Sequence, residues 1–127
     1  MNNHVFLADD DVIQIIVVDD QTSESVQAMG REIIALVAQL RAGKKRVYII
    51  DNLKRMGNST ADARREVSRL ARELDFDKGA VVGDASPWMR YGTNLMLRAI
   101  GRPNLKYFAS LDGAYAWFGL EPAGNYT

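Results

Sequence analysis

The sequence predicts an α/β domain whose elements run β-β-α-β-α-β-α-β-α around a mostly parallel sheet with an antiparallel N-terminal hairpin strand. Three observations lead there. Short runs rich in β-branched and aromatic residues recur at HVFLA (4–8), VIQIIVV (12–18), RVYIID (46–51), GAVVGD (79–84) and LKYFA (105–109). Stretches with apolar residues at helical spacing separate all but the first two. The connections are short enough for sequential strands to lie side by side, and right-handed crossovers then gather the helices mainly on one face.

Residues 4–8 and 12–18 flank Asp9, Asp10 and Asp11, which suit a tight turn, and read as a hairpin. The second run is apolar nearly throughout, as in a strand covered on much of both faces. Thr22 offers an N-cap with Glu24 in the first turn. Val26, Met29, Ile33, Val37 and Leu40 then form a helical stripe that Gly43 stops. Arg46 to Asp51 is a short buried strand. NLKRMGN (52–58) is expected to be a loop, with Ser59 or Thr60 capping a second helix through about Leu74. The stripe of that helix is Ala63, Val67, Leu70 and Leu74, with Arg64, Arg65, Arg69 and Arg72 mainly off it.

GAVVGD repeats the buried strand type. Ser86-Pro87 is an N-cap with proline at N1, a helix start. Trp88, Tyr91, Leu95, Met96 and Ala99 are expected to face inward, and Gly101 with Pro103 to end that helix. Leu105 to Ala109 is the last strand. Ser110 caps a short helix carrying Ala114, Trp117 and Phe118. Residues 1–120 thus make a single domain, followed by a C-terminal tail, 121–127, expected to fray.

Composition narrows the chemistry. The 127 residues suffice for one domain with a real core. No apolar run is long enough to cross a bilayer, and the N-terminus lacks the cationic and apolar regions of a signal peptide, so membrane insertion is not expected. The absence of cysteine excludes disulfides and thiolate chemistry and suits a cytoplasmic location. His4 is the single histidine, which argues against a histidine-rich metal site or a triad. No cofactor and no metal are expected. Acids crowd the first stretch (Asp9, Asp10, Asp11, Asp19, Asp20, Glu24), while Arg41, Lys44, Lys45, Arg46, Lys54 and Arg55 surround Asp51. Such clusters read as solvated surface.

Several chemistries fail on topology or spacing. The acidic pairs with Asp51 at a strand end suggest a phosphorelay receiver, but only one helix separates Asp20 from Asp51, so a whole βα unit is missing. VVGD and MGN are too glycine-poor for a dinucleotide fingerprint. Asp75 and Asp77 have no partner placed for acid–base work. Arg98, Arg102 and Lys106 lack the aromatic-laced basic stripe that would support nucleic-acid binding. No nucleophile–base pair stands out, so catalysis is not expected. The segment from Asp51 to Thr60 is the candidate working part. It places the Ser59 and Thr60 hydroxyls on a helix N-terminus, where free N–H groups favour an anion.

The stretch DKGAVVGDASPWMRYGTNLMLRAIGRPNLKYFASLDGAYAWF, with IIDNLKRMGNSTADARR before it, resembles the STAS superfamily in its bacterial SpoIIAA-like, SEC14-like branch. The resemblance covers most of the chain and implies a βα superhelix with helices largely on one face. It also implies a regulatory protein-interaction module like the anti-sigma factor antagonists, which bind a kinase-type anti-sigma partner or sensor. These are switched by phosphorylation of a Ser or Thr in a D-S/T motif at the start of the second helix. Ser59 is the matching position, with Thr60 beside it and Asn58 replacing the aspartate. Lys54, Arg55, Arg65, Glu66 and Arg69 would then contact the partner. The SEC14-like relatives imply an alternative use, enclosing a lipid or other apolar small molecule, for which Trp88, Met89, Tyr91 and Met96 are the candidate pocket residues.

Overall fold

The computed structural model of the chain describes residues 3–84 and 86–121, with the side chain of Trp88 outside that description. Five strands form one sheet in sequence order: β1 (His4–Leu7), β2 (Val12–Gln21), β3 (Tyr48–Ser59), β4 (Lys78–Val82) and β5 (Leu105–Phe108). β1 runs antiparallel to β2, and every later pairing is parallel. The helices are α1 (Ser23–Ala42), α2 (Ala61–Glu73), α3 (Pro87–Ile100) and α4 (Leu111–Phe118). None of the described helices is long and apolar enough to cross a membrane. The expected order of elements and the mostly parallel sheet are both found.

Local chemistry sets most boundaries. In the β1–β2 turn Asp11 adopts φ 63, its N–H donates to the Ala8 carbonyl at 3.0 Å, and the Asp10 carboxylate accepts from the Val12 N–H at 3.1 Å. Thr22 and Ser25 form a reciprocal capping box at the start of α1. The helix stops at Gly43 as expected, yet Gly43 has φ −84 and it is Lys44 that takes the left-handed conformation, φ 58. Ser86 and Ser110 cap α3 and α4 by accepting from the Met89 and Gly113 amides, and Gly101 ends α3 at φ 75.

The alternation of side chains along each strand divides the core into two layers. Ile13, Ile15 and Val17 of β2, Ile49 and Leu53 of β3 and Val81 of β4 pack with α1, Ala63 of α2 and the partly buried Met89 and Leu97 of α3. Val12, Ile50, Ala80 and Val82 point the other way, onto Ala114, Tyr115 and Phe118 of α4. Three helices therefore cover one face and the short α4 covers part of the other. A buried hydrogen bond, Gln14 Nε2 to Tyr115 Oη at 2.8 Å, ties α4 to the middle of β2.

Charged residues left without a role by the sequence prove structural. Arg41 binds Asp75 through two nitrogens at 2.9 Å and Asp77 at 3.0 Å, and Asp77 also accepts from the Val47 N–H at 2.8 Å. Arg41 and the Val47 amide hold the Asp77 carboxyl below its ordinary value. Arg102 donates to the Ala71 and Leu74 carbonyls at the end of α2 and stacks 3.8 Å from the centre of the Phe76 ring.

The inward face of α3 differs from expectation. Tyr91 is 64% exposed, Leu95 46%, and Ala99 is exposed as well. Met89, Thr93, Met96, Leu97 and Ile100 turn toward the sheet instead, a stripe with i, i+4, i+7, i+8 and i+11 spacing. Two apolar stripes compete on this helix, and packing on β5 and α2 selects the one interrupted by Thr93.

Candidate functional site

β3 occupies the centre of the sheet and is longer than either the sequence or its neighbour suggests. Its pairing with β4 ends at Asn52↔Val82. Its pairing with β2 continues through Val18↔Arg55 and Asp19↔Met56 to Gln21↔Ser59, with two register irregularities on the way. Residues 52–58, expected as a loop, are therefore strand, and Asp51 lies inside that strand rather than at its end. The long β2 supplies backbone partners that a local reading does not contain, and the turn-like residues sit where the register shifts. Gly57 is required there because a Cβ would collide with the Asp20 carboxylate and lie 3.2 Å from the Asp19 carbonyl carbon. The Asp20 carboxylate also accepts from the Asn58 N–H at 2.8 Å. Asp20 thus pins the strand end.

The two edges of this projecting ribbon are finished differently. On β2, Asn3 Oδ1 accepts from the Val18 N–H at 2.9 Å, and Gln21 Nε2 donates to the Val18 and Asp19 carbonyls. On β3, no strand among the described residues pairs beyond Asn52 on the β4 side. Lys54, Arg55 and Asn58 are exposed along this stretch. Thr60 is the N-cap of α2, its Oγ1 accepting from the Ala63 N–H at 3.0 Å. The half-buried Ser59 is left to Arg64, whose Nη1 donates to the Ser59 carbonyl at 2.6 Å and meets its Oγ at 3.3 Å.

Along α2, Arg65 pairs with Asp62, and Arg69 bridges Glu66 at 2.7 Å and Glu73 at 3.3 Å. The Arg69 hydrogen bond holds the Glu66 carboxyl below its usual value. The structure therefore gathers Lys54, Arg55, Asn58, Ser59, Thr60 and Arg65 on one strand–helix junction. Glu66 and Arg69 form a pair farther along the helix.

Beneath that junction, the sheet, α1, α2 and α3 enclose an open cleft of about 1210 Å³. Its lining runs from Ser59, Ala61 and Arg64 at the start of α2 to Met89, Thr93, Met96 and Leu97 on α3. Of the candidate pocket residues, Met89 and Met96 line it; the exposed Tyr91 does not, and the Trp88 side chain lies outside the described residues.

Sequence reasoning missed the polar centre of the cleft. Asp51 stands between Ile15 of β2 and Val81 of β4 in register, on the face that carries Ile49 and Leu53. Its Oδ1 is buried and has no hydrogen-bond partner among the described residues. Burial alone pushes its carboxyl up from 3.8 to about 7. The signal was present: in IIDNL the acid occupies the phase of the apolar residues packed under α1. No group of three His, Cys, Asp or Glu among the described residues is arranged to hold a metal ion.

A family model described as SpoIIAA-like matches residues 12–119. No curated protein matches the chain. Among solved structures, an uncharacterized DUF3478-family protein with a SpoIIAA-like fold from Shewanella loihica PV-4 superposes with a TM-score of 0.60 at 16% identity, covering 91% of this chain and 90% of that one. The anti-sigma factor antagonist SpoIIAA in its unphosphorylated form superposes with a TM-score of 0.56 at 14% identity, covering 92% of this chain and 97% of that one. At such identities the likeness bears on the fold.

Proposed function

The chain belongs to the SpoIIAA-like family, and from that premise we propose that it is a non-catalytic regulatory module that binds another protein through the free end of β3 and the first turns of α2. The observation that carries this reading is the unpaired stretch of β3 beyond Asn52. An open strand edge is a template for pairing with another chain, and folded proteins normally cover it or blunt it with charge. Here Lys54 and Arg55 discourage self-association of the edge while leaving it accessible to a partner of opposite sign. From Leu53 to Arg65 the chain carries Lys54, Arg55, Arg64 and Arg65 against Asp62 alone, so the matching surface is acidic. The likeness in fold to an anti-sigma factor antagonist supports a protein as the partner.

Ser59 is the switch position of this surface. A phosphate on its hydroxyl would carry a charge of about −2 at the helix N-terminus. Arg64, already in contact with the hydroxyl, would meet it, and the sign of the contact surface would change. Asn58 presents its side chain to solvent beside it.

Capture from a native extract tests the reading. Immobilised wild type and Lys106→Glu, a change on the α4 side of the sheet, should retain the same protein. Lys54→Glu/Arg55→Glu should retain it at least about tenfold less, because like charges across a contact cost more than 1.4 kcal/mol by rough estimate. Ser59→Glu should weaken retention where Ser59→Ala does not. Retention of nothing, or of a protein indifferent to Lys54 and Arg55, overturns the proposal.

A further inference from the structure

Asp51 and the cleft around it are unexplained by protein binding at the β3 edge. The open cleft of about 1210 Å³ reaches the size of sites for small organic molecules. Four of the five methionines, Met29, Met56, Met89 and Met96, line it, giving walls that adapt to an irregular apolar guest. The floor carries one carboxyl group, and its Oδ1 is buried without a partner.

No cation among the described residues answers that carboxyl. β2, α1 and α3 contribute no charged residue to the lining. The charged groups bordering the cleft are on α2: Asp62, Arg64, Arg65, Glu66, Arg69 and Arg72. Arg65 is engaged by Asp62, Arg69 by Glu66 and Glu73, and Arg64 by Ser59. Arg72 projects as an exposed side chain. None of them contributes to the perturbation of Asp51, which comes from burial alone.

We propose that the cleft binds an amphiphilic amine, an apolar body bearing one protonated nitrogen, with Asp51 as its counter-ion. A buried carboxylate without a partner is costly, and an ammonium brought in by the ligand removes that cost with a charge-assisted hydrogen bond. An alcohol of the same length offers only a neutral hydrogen bond, and a carboxylate is repelled. The apolar body fills the space between Met89, Met96 and the sheet. Binding ionises Asp51, so affinity for the amine rises with pH up to neutrality and then levels off. This inference stands independently of the β3 contact surface, and its readout does not involve a protein partner.

The test is titration of the full chain with dodecylamine, dodecanol and dodecanoate, each below its aggregation concentration, by calorimetry at pH 6 and pH 8. Dodecylamine should bind one to one, about tenfold or more tighter than the alcohol or the acid at pH 8, and about tenfold weaker at pH 6. Asp51→Asn should bind amine and alcohol alike while unfolding cooperatively, and Met96→Trp, which fills the cleft from α3, should exclude both. Equal affinity for amine and alcohol in the wild type, undiminished amine binding by Asp51→Asn, or multi-site or absent binding of the amine overturns the proposal.

Discussion

Replacing Asp51 with asparagine should remove a pH-dependent weakness from the fold. Burial raises the carboxyl from 3.8 to about 7 on folding, worth about 4 kcal/mol in full. A carboxyl raised on folding holds its proton more tightly in the native state. Its cost is therefore absent below the unfolded value, grows as pH rises, and is complete above about 7. Between pH 5 and pH 8 roughly two-thirds of it develops. The residue is not wholly shut off, since it borders an open cleft that admits water to one side. Solvent screening reduces the expected change over that interval to about 1–3 kcal/mol. The asparagine amide keeps a polar group in the same place, so the absolute stability of Asp51→Asn is less informative than its slope. Urea unfolding followed by far-ultraviolet circular dichroism at pH 5, 6, 7 and 8 gives that slope directly. The advantage of the variant over the wild type should widen by about 1–3 kcal/mol across the series, or roughly 3–10 °C in Tm. Parallel curves for the two proteins would refute the burial of Asp51.

Gly57→Ala should destabilise by about 1–3 kcal/mol in urea unfolding, since its methyl has to displace Asp20 and the strand end it pins. Tyr115→Phe should cost about 1–3 kcal/mol by the same measurement, because it leaves the Gln14 amide buried without its acceptor under α4. Asp77 is held below its ordinary value, so its contribution is present above about pH 4 and lost as the pH falls below that. Asp77→Ala should accordingly cost about 1 kcal/mol at pH 7, where it removes one of the Arg41 hydrogen bonds and frees the Val47 amide, and almost nothing near pH 2.

The order of elements was legible because its signals are local. Thr22, Ser86 and Ser110 each accept from the backbone three residues ahead, and a cap of that kind is written in adjacent letters. β2 declared itself by a run apolar but for Gln14. What the sequence hid depends on contacts distant in the chain. Residues 52–58 carry the composition of a loop, yet pairing with the second half of β2 makes them strand. On α3, a stripe through Tyr91 and Leu95 competes with the one through Thr93, and only the position of the sheet decides between them. Tyr115 lay between two alanines in a short helix, and its burial becomes intelligible only with Gln14 opposite. Lys54, Arg55 and Thr60 lie exposed at the junction and Ser59 half-buried beside them, whereas Asp51 was read as a strand-end acid and proves to be the carboxylate on the floor of the cleft.

Amide hydrogen exchange on the complex with the captured partner locates the contact. Binding through the free edge of β3 predicts slowed exchange confined to residues 53–65, with the amides of α4 and β5 unchanged. Protection centred instead on α4 and β5, around Trp117 and Lys106, would place the partner on the opposite face of the sheet and contradict it.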